Sequence, residues 1–168
     1  MSPAGSERSK SRGGGGAEPR FLCDAMLGRL ARWLRVLGYD THYERDIADA
    51  RALGLCQRQG RILLTRDRGL AQRARGIERL LVESEHLDEQ LAAVVGALGL
   101  DLSRPRLTRC LLCNRRTRRV KPEAVAELVP PYVRSRTKEF TRCPVCGRVF
   151  WPGSHRARIE ARLSRLGG

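Results

Sequence analysis

The sequence predicts an α/β protein in which an open parallel sheet, flanked by helices, precedes a small module that contains cysteine pairs. Short apolar runs alternate with helical patterns between residues 21 and 98, and this alternation with short connections is typical of a parallel sheet covered by helices. Two Cys-x-x-Cys pairs then follow in a stretch rich in Pro and Arg. We therefore expect a disordered tail over residues 1–20, a sheet domain over 21–100 and a basic module over 101–168.

The elements of the sheet domain follow from the spacing of apolar residues. The expected strands cover residues 20–23, 41–43, 61–65 and 79–82. The expected helices cover residues 26–37, 69–75 and 87–98, together with a helix that follows residue 49 and runs to about residue 58. Gly38 and Gly60 stand where they can end the first two helices, and Asp49 stands where it can cap the second.

The second module gives fewer signals. A linker that contains Pro105 is expected over residues 99–109, and residues 108–152 show little core-forming pattern. The last expected element is a helix over residues 155–166, whose apolar side carries Ile159, Leu163 and Leu166. The cysteines, rather than an apolar core, are therefore expected to hold this module together.

Positive charge is concentrated in the second module. The chain has 33 Lys and Arg against 18 Asp and Glu, a net charge of +15. Residues 21–101 contain 12 Arg and 12 acids and are neutral, whereas residues 102–168 carry +13. A basic module beside a neutral domain is typical of nucleic-acid binding, and the scarcity of Lys favours recognition of phosphate by Arg. A solubilising surface, or attraction to anionic lipid, is the alternative.

The sequence shows no sign of a membrane protein. It has no run of about 18 apolar residues that would span a bilayer, and its N-terminus lacks the apolar segment of a secretory signal. The Gly, Ser and charge content of residues 1–20 indicates disorder. We expect a cytoplasmic protein without a membrane partner.

Acidic residues follow each expected strand. Ligands of an open parallel sheet bind beyond the carboxyl ends of its strands. Asp24 follows the first strand, Asp46 and Asp49 follow the second, and Asp67 follows the third. The candidates after the fourth strand are Glu83, Glu85 and Asp88. Four strands thus deliver acids to one edge of the sheet.

A group of acids at one edge predicts a divalent metal site. Two carboxylates ~4 Å apart repel by about 4 kcal/mol at an effective dielectric constant of 20, so they need protons or cations. Oxygen ligands suit Mg²⁺ or Mn²⁺, which can activate water against a phosphodiester. Each Asp by itself is better explained as a helix cap or turn former. Asp24 and Asp67 together, each after an apolar strand, favour the metal site.

Two other α/β enzyme classes that place Asp after the first strand do not fit the sequence. A haloacid-dehalogenase-type phosphatase needs a second Asp two positions later, where this chain has Met26. A response-regulator receiver needs a Lys at a late strand end, and residues 21–120 contain no Lys. Neither class therefore explains the acidic edge.

The cysteine pairs predict a structural zinc ribbon. Cys110 and Cys113 form one Cys-x-x-Cys knuckle, Cys143 and Cys146 form another, and 29 residues separate the two. Two such knuckles complete a tetrahedral Zn–S₄ site that leaves no position open for catalysis. Disulfides are disfavoured in a cytoplasmic chain, and a redox role is disfavoured by the presence of two copies. Gly147 fits the tight turn after the second knuckle.

Several other residues are candidates for contacts with nucleic acid. Arg29, Arg32 and Arg35 follow Asp24 on the expected polar face of the first helix. Phe150 and Trp151 are expected to pack on the ribbon, although base stacking is open to them. The further candidates are Arg66, Arg115, Arg116, Arg118 and Arg119. The remaining cysteines, Cys23 and Cys56, lie in apolar patterns and are expected to be buried.

With both sets of residues in hand, the chain resembles the Mut-seven C-terminal ribonuclease family, which joins a PIN-like nuclease domain to a zinc ribbon. The matching stretches, in the family's order, are residues 21–40, 60–68, 110–114 and 143–155. The resemblance implies a PIN-like fold, metal-dependent RNA cleavage, and a site built from Asp24, Asp49 and Asp67. It also implies a further acid after the fourth strand, without choosing among the three candidates there.

These observations lead to one main hypothesis, a ribonuclease directed at single-stranded RNA. Asp24 and Asp67 are the expected ligands of Mg²⁺ or Mn²⁺, and Asp49 completes the site or positions water. The basic ribbon and the final helix hold the RNA backbone. The main alternative is a non-catalytic adaptor that binds RNA or the ribosome through a degenerate PIN-like fold. A toxin-like nuclease is a third hypothesis, against which the built-in zinc module argues.

Overall fold

The structure is a computed structural model that describes residues 18–153 and 155–166. The expected tail over residues 1–20 lies outside the described residues except for its last three. The described part of the chain contains one parallel sheet, one antiparallel sheet and six α-helices. None of the helices found there is both long and apolar enough to cross a membrane.

The first sheet has four strands, all parallel, in the order β2-β1-β3-β4. Its strands are β1 (Arg20–Cys23), β2 (Asp40–Tyr43), β3 (Ile62–Thr65) and β4 (Arg79–Leu81). The two central strands, β1 and β3, are buried on both faces apart from Arg20, which explains why they read as continuous apolar runs. The predicted open parallel sheet is confirmed.

Helices cover both faces of this sheet. They are α1 (Gly28–Val36), α2 (Asp49–Gln59), α3 (Arg68–Arg73) and α4 (Leu87–Leu98). Apolar side chains of α1 and α4 form one core with Phe21 and Leu64, whereas those of α2 and α3 form a second core with Leu22 and Leu63. Because neighbouring strand residues point to opposite faces, each central strand supplies both cores. The predicted fold class, an α/β sheet flanked by helices, is confirmed.

Two details of these helices differ from the sequence predictions. The first helix begins with a separate 3₁₀ turn, Ala25–Leu27, which Asp24 caps by accepting a hydrogen bond from the backbone N–H of Met26. The second helix is capped by Ala48 without a side-chain hydrogen bond. The prediction that Asp49 caps it was therefore wrong, because Asp49 is already its first residue. Gly60 ends this helix in the left-handed conformation, as predicted.

The second module has a small apolar core that the sequence analysis did not predict. Its antiparallel sheet has the order β5-β6-β7 and consists of β5 (Arg118–Val120), β6 (Phe140–Arg142) and β7 (Val149–Phe150). A 3₁₀ helix, Pro122–Leu128, and α5 (Pro131–Arg136) lie between the first two strands. Val125, Val129, Val133 and Phe140 are buried together. The expectation of little core was wrong because Pro130 and Pro131 divide a four-residue apolar repeat between two helices.

The final helix packs on the sheet domain. This helix, α6 (His155–Ser164), places Ile159 and Leu163 in the same core as α1 and α4. Its Arg162 lies over the ring of Trp33 at 4.7 Å and pairs with Asp88 at 2.8 Å. The chain thus returns to the first sheet after completing the cysteine-bearing module.

A buried polar network joins the first cysteine knuckle to the edge strand β2. Asp40 accepts hydrogen bonds from Arg61 at 2.6 Å and from Asn114, next to Cys113, at 2.8 Å. Asn114 in turn accepts a hydrogen bond from the backbone N–H of Thr41 at 3.0 Å. Burial raises the pKa of Asp40, but the hydrogen bonds from Arg61 and Asn114 outweigh it, so this pKa lies below its ordinary value. Asp40 therefore stays ionised as the centre of the contact.

Arg35 forms a second link between the two modules. Its side chain is 6 % exposed, and its guanidinium donates to the carbonyls of Thr41 at 2.9 Å, Leu111 at 2.8 Å and Leu112 at 3.0 Å. Leu111 and Leu112 are the two residues inside the first Cys-x-x-Cys pair. The expectation that Arg35 lies on the polar face of its helix was therefore wrong, because the ribbon covers that position.

We expect Arg35→Leu to destabilise the protein by about 2–4 kcal/mol, because it leaves buried carbonyls without the charged donor that they share. Urea unfolding at a fixed zinc concentration measures this loss. Arg32→Ala is the matched control on the same helix, since Arg32 is exposed and its loss should change stability by no more than about 0.5 kcal/mol. Equal effects of the two substitutions would contradict the role of Arg35.

Candidate functional site

Asp24 lies directly after β1 and is held by three hydrogen-bond donors. Its Oδ1 accepts from the backbone N–H of Met26 at 2.8 Å. Its Oδ2 accepts from the hydroxyl of Thr65 at 2.5 Å and from the backbone N–H of Arg66 at 2.8 Å. The carboxylate is 5 % exposed, so these donors fix its orientation. A carboxylate has about four acceptor positions, so Asp24 keeps one for a ligand.

Asp67 lies at the start of α3, two residues beyond the end of β3. Its Oδ1 accepts from the backbone N–H of Leu70 at 2.9 Å and caps the helix. Its own backbone N–H donates to the hydroxyl of Thr65 at 2.9 Å. The side chain is exposed, and its Oδ2 has no hydrogen-bond partner in the described part of the chain. Asp67 is therefore the more open of the two carboxylates.

Thr65 joins the two acids and is the site residue that the sequence analysis missed. Its hydroxyl donates to Asp24 and accepts from Asp67, and the side chain is fully buried. The available signal was a single hydroxyl at the end of an otherwise apolar strand, Ile62–Thr65. Because β1 and β3 are neighbours, the residues that follow them meet at one edge, as predicted for Asp24 and Asp67.

Asp49 is engaged elsewhere. It opens α2, and its Oδ2 accepts from Arg73 at 2.5 Å. Within residues 18–153 and 155–166, no three acidic side chains bring their oxygens within 4.8 Å of one another. The structure thus joins Asp24 to Asp67 through Thr65 and leaves Asp49 in an ion pair with Arg73.

The three candidates for a further acid after β4 are each paired with an arginine. Glu83 pairs with Arg68 at 3.1 Å, and Asp88 pairs with an arginine of α6. Glu85 pairs with Arg66 at 2.9 Å, and this hydrogen bond lowers the pKa of Glu85. None of the three is distinguished as a ligand by its position, so the choice that the sequence left open stays open.

The four predicted cysteines converge at one point. Their sulfur atoms all lie within 4.8 Å of one another, and those of Cys110 and Cys146 are 3.7 Å apart. A tetrahedral Zn–S₄ site with Zn–S bonds of 2.3 Å requires sulfur atoms about 3.8 Å apart. Four cysteines at these distances could hold a metal such as zinc.

The two knuckles have the same backbone geometry. The N–H of Cys110 donates to the carbonyl of Arg115, as the N–H of Cys143 does to that of Arg148, both at 2.8 Å. The residue after each second cysteine is left-handed: Asn114 has φ of 61° and Gly147 has φ of 73°. Gly147 thus occupies the tight turn that we expected, and Asn114 fills the matching position while its side chain reaches Asp40.

The electrostatics of the thiols also favour a cation at this point. The backbone N–H of Arg148 lowers the pKa of Cys146 to about 7. The hydrogen bond with Cys146 and burial raise the pKa of Cys113, and burial raises that of Cys110. Thiolates this close repel one another, so they need a cation to ionise together. Cys23 and Cys56 are buried apart from this group, as expected, and burial raises the pKa of both.

Comparison with known families assigns the chain to one of them. The family model of the Mut7-C RNAse domain matches residues 19–163. The chain belongs to the Mut7-C RNAse domain family. Neither a curated protein nor a solved structure shows significant similarity to it. The resemblance seen in the sequence is thereby confirmed, and the family indicates a ribonuclease-type function with RNA as substrate or partner.

The Mut7-C match extends from β1 through both knuckles into α6. It therefore includes the acidic edge, which holds Asp24 and Asp67, and the cysteine cluster. The two modules are connected by the contacts of Asp40 and Arg35, and the family description spans both of them. Thr65 lies inside this match as well.

The predicted nucleic-acid contacts of this Mut7-C chain lie in three places. Arg29 and Arg32 are exposed on α1, and Arg66 is turned toward Glu85 beside the acidic edge. The remaining four lie on or near the first knuckle and β5, where all are exposed: Arg115, Arg116, Arg118 and Arg119. Arg116 also pairs with Glu18 at 3.4 Å. The structure therefore does not gather all seven arginines into one patch.

We expect Thr65→Val to lower the free energy of unfolding of the Mut7-C chain by about 1–3 kcal/mol, because the buried Asp24 loses a donor and the Asp67 amide loses its acceptor. Thr65→Ser keeps the hydroxyl and should cost clearly less. Urea unfolding of both variants under identical conditions tests this. If Thr65→Ser is as damaging as Thr65→Val, the methyl group of Thr65 matters and the bridging hydroxyl does not.

Proposed function

We propose that this chain is a metal-dependent ribonuclease whose cleavage site is the acidic edge at Asp24 and Asp67. One observation carries the proposal. Glu83, Glu85, Asp88 and Asp49, which also follow strands, are each paired with an arginine. Asp24 and Asp67 have no cationic partner within the described residues, and the hydroxyl of Thr65 links the carboxylate of Asp24 to the backbone N–H of Asp67. The exposed Asp46 also lacks an arginine partner there, but it has no such link to a neighbouring acid. A chain with 33 basic residues thus leaves Asp24 and Asp67 without an ion pair among the described residues.

The unused acceptor positions of the two acids fit Mg²⁺ or Mn²⁺. Mg²⁺ is commonly held by one or two carboxylates together with water and substrate phosphates, so a third protein carboxylate is not required. Asp24 would offer one fixed oxygen and Asp67 its exposed Oδ2. A bound ion of this kind supplies Lewis-acid stabilisation and an activated water at a phosphodiester.

The residues of the chain itself would position the reaction. The three donors on Asp24 keep its carboxylate from rotating, and Thr65 transmits this rigidity to the backbone of Asp67. Asp49 could complete the site or orient water only if it left Arg73, because their ion pair occupies the carboxylate. Arg66, whose backbone N–H holds Asp24, stands close enough to the edge to stabilise phosphate charge if its side chain leaves Glu85.

We further propose that the four cysteines hold structural zinc and that the basic ribbon binds the RNA backbone. Four thiolates leave no open coordination position, so the ion would stabilise the module without acting on substrate. In the ribbon sheet Arg118 stands directly opposite Arg142. Like charges in this cross-strand position destabilise a sheet, which suits a surface that meets phosphate. With its expected cytoplasmic location, the chain would act on cellular RNA.

A non-catalytic adaptor that binds RNA or the ribosome is the second candidate. The ion pairs of Asp49, Glu83 and Glu85 favour it, since they neutralise acids that a nuclease site could use. The adaptor would keep the basic ribbon and bind RNA without cleaving it. Binding is therefore expected for both candidates, and only cleavage separates them.

Cleavage of a labelled single-stranded RNA in the presence of Mn²⁺ is the direct test. We expect Asp24→Asn and Asp67→Asn each to slow cleavage by at least about a hundredfold, because each removes a charged ligand of the ion. Asn caps helices as well as Asp does, so the exposed Asp67→Asn variant should fold. In Asp24→Asn one amide NH₂ would face the donors that Asp24 now accepts from, so circular dichroism must show that this variant is folded before its rate is compared. Asp46→Asn is the matched control beyond β2 and should change the rate by less than about twofold.

The same assay distinguishes the two candidate functions. Cleavage that persists in the double variant of Asp24 and Asp67 would contradict the proposed site. Wild-type protein that binds the RNA but does not cleave it with either Mn²⁺ or Mg²⁺ would establish the adaptor instead.

Metal analysis of purified protein tests the zinc proposal. We expect one zinc ion per chain, lost in Cys113→Ser and Cys143→Ser and retained in Cys56→Ser, whose thiol is buried away from the cluster. A chelator should lower the thermal midpoint of the wild-type protein because the ion binds only the folded state. Retention of zinc by both ligand variants would rule out the four-cysteine site.

A further inference from the structure

A cleft runs between α1, α6 and the ribbon. Its volume is about 870 Å³, and residues of both modules line it. One wall is α1, another is α6, and the third is formed by α5, β7 and the segment after it. The candidate nuclease residues and the cysteine cluster contribute nothing to this lining, so the cleft is a separate feature of the surface.

The α1 wall is a single helical stripe. Arg29, Arg32, Trp33 and Val36 line the cleft, and their spacing places them on one face of the helix. The opposite face, which includes Leu30 and Leu34, is buried against the sheet. The cleft-facing stripe thus carries two cations and an aromatic ring where a surface helix of a monomer usually presents mixed charges.

The charge of the cleft is of one sign. None of the described residues that line it is acidic, and five are arginines from three elements. These are Arg29, Arg32, Arg136, Arg158 and Arg162. Within the described residues only Arg162 has a carboxylate partner, Asp88. Four arginines that face one concave surface without partners favour a polyanion.

Aromatic rings alternate with these arginines. The rings in the lining belong to Trp33, Tyr132, Phe150 and Trp151. Tyr132 is 64 % exposed, so its ring is open to a ligand. Trp151 packs edge-to-face on Phe140 of the ribbon core, with ring centroids 6.5 Å apart. Arg162 already lies over the ring of Trp33, so the exposed ring of Tyr132 is the most open stacking surface. A groove that combines cations with such a ring provides both phosphate contacts and a stacking surface for single-stranded bases.

One end of the cleft lies next to the acidic edge. Only the 3₁₀ turn Ala25–Leu27 separates Asp24 from the start of α1, and Arg29 lies in the first turn of that helix. The stripe from Arg29 to Val36 extends about 10 Å along the helix. A strand bound along this stripe would therefore lead toward Asp24 at its Arg29 end.

We infer that this cleft binds single-stranded RNA, with phosphates on the arginines and bases on the aromatic rings, and directs the strand to the acidic edge. The inference rests on the proposed function in that the strand is the RNA to be cleaved. A duplex does not fit this chemistry because its bases are already stacked on one another. The cleft accounts for Arg29 and Arg32 and adds Arg136, Arg158 and Tyr132 as contacts on the ribbon and α6.

Intrinsic fluorescence reports on this cleft directly. The chain has two tryptophans, Trp33 and Trp151, and both line the cleft. We expect a 12-nucleotide oligouridylate, added to full-length protein without Mg²⁺ or Mn²⁺, to quench this emission with a saturable curve. A duplex of the same length should bind at least about tenfold more weakly. RNA that binds by anisotropy without changing the tryptophan emission would place the strand elsewhere and overturn the inference.

Tyr132 provides the stacking test. Tyr132→Ala should raise the dissociation constant of the single strand by about tenfold, since stacking of a base on an aromatic ring carries an effect of this size. Tyr132→Phe keeps the ring and should bind like wild type. Because the side chain is mostly exposed, both variants should fold. Equal binding by all three proteins would show that no base stacks at this position.

A pair of double variants separates cleft binding from attraction by net charge. Arg32→Ala with Arg136→Ala removes two charges from the cleft, and Arg45→Ala with Arg75→Ala removes two exposed charges elsewhere. If two phosphate contacts are lost, the slope of log affinity against log salt should become shallower by about 1.4 in the first pair only. Equal changes in both pairs would mean that the cleft arginines act only through net charge, and would overturn the inference.

The outcomes for the cleft and for catalysis are independent. If the cleft variants lose RNA binding and the wild-type protein does not cleave RNA, the cleft binds RNA and the protein is an adaptor. A second outcome is cleavage that depends on Asp24 and Asp67, combined with RNA binding that neither Tyr132→Ala nor the substitution of the cleft arginines changes. It would support the nuclease and refute the proposal that the cleft binds RNA. Binding of anionic lipid vesicles that competes fully with RNA would assign the cleft to anionic surfaces in general and would also refute it.

Discussion

The contact between Asp40 and its donors is the interaction on which the rest of the structure depends. Asp40 begins the edge strand β2, where an unpaired strand would otherwise be open to solvent. Arg61 comes from the sheet domain and Asn114 from the first knuckle, so one carboxylate is bonded to both modules. Asp40 is half-buried, and without these donors its carboxylate would lose the hydrogen bonds that offset its burial. The edge strand β2 is therefore stabilised by the first knuckle, and the first knuckle is stabilised by the sheet.

This mutual dependence also determines the surface that we propose to bind RNA. Arg35 fixes the carbonyls of Leu111 and Leu112 inside the first Cys-x-x-Cys pair, so an ion held by the cysteines would order a loop that is already bonded to α1. The ribbon is thereby held beside α1, and α6 packs on the same helix through Ile159 and Leu163. The cleft exists because both neighbours pack against α1. Its shape should consequently depend on the metal site, although no cysteine lines it.

Much of this fold could be predicted from local sequence, and the exceptions have physical causes. Strands β1 and β3 are continuous apolar runs, and the Cys-x-x-Cys spacing is itself typical of a four-cysteine metal site. The two strands and the cysteine cluster were therefore predicted from the sequence. The small ribbon core was missed because two prolines split its valine repeat. The roles of Asp40, Arg35 and Thr65 could not be predicted, because each depends on a partner that is distant in sequence. Arg35 in particular looks like a surface residue until the ribbon is placed over it.

The sheet domain has no net charge, but its charges are unevenly distributed in the structure. Counting charges gives zero for residues 21–101, which suggests an electrostatically featureless partner for the basic ribbon. In the structure, arginines pair with Asp49, Glu83, Glu85 and Asp88 and so neutralise most of the acids that follow the strands. Asp24 and Asp67 have no such partner among the described residues. Arg29 lies in the first turn of α1, which follows the 3₁₀ turn that Asp24 caps. A polyanion would thus be attracted along the cleft but repelled at its end unless a divalent cation bridged the strand to the two carboxylates. If the proposed function holds, the approach of RNA to the two acids would therefore depend on a divalent metal ion.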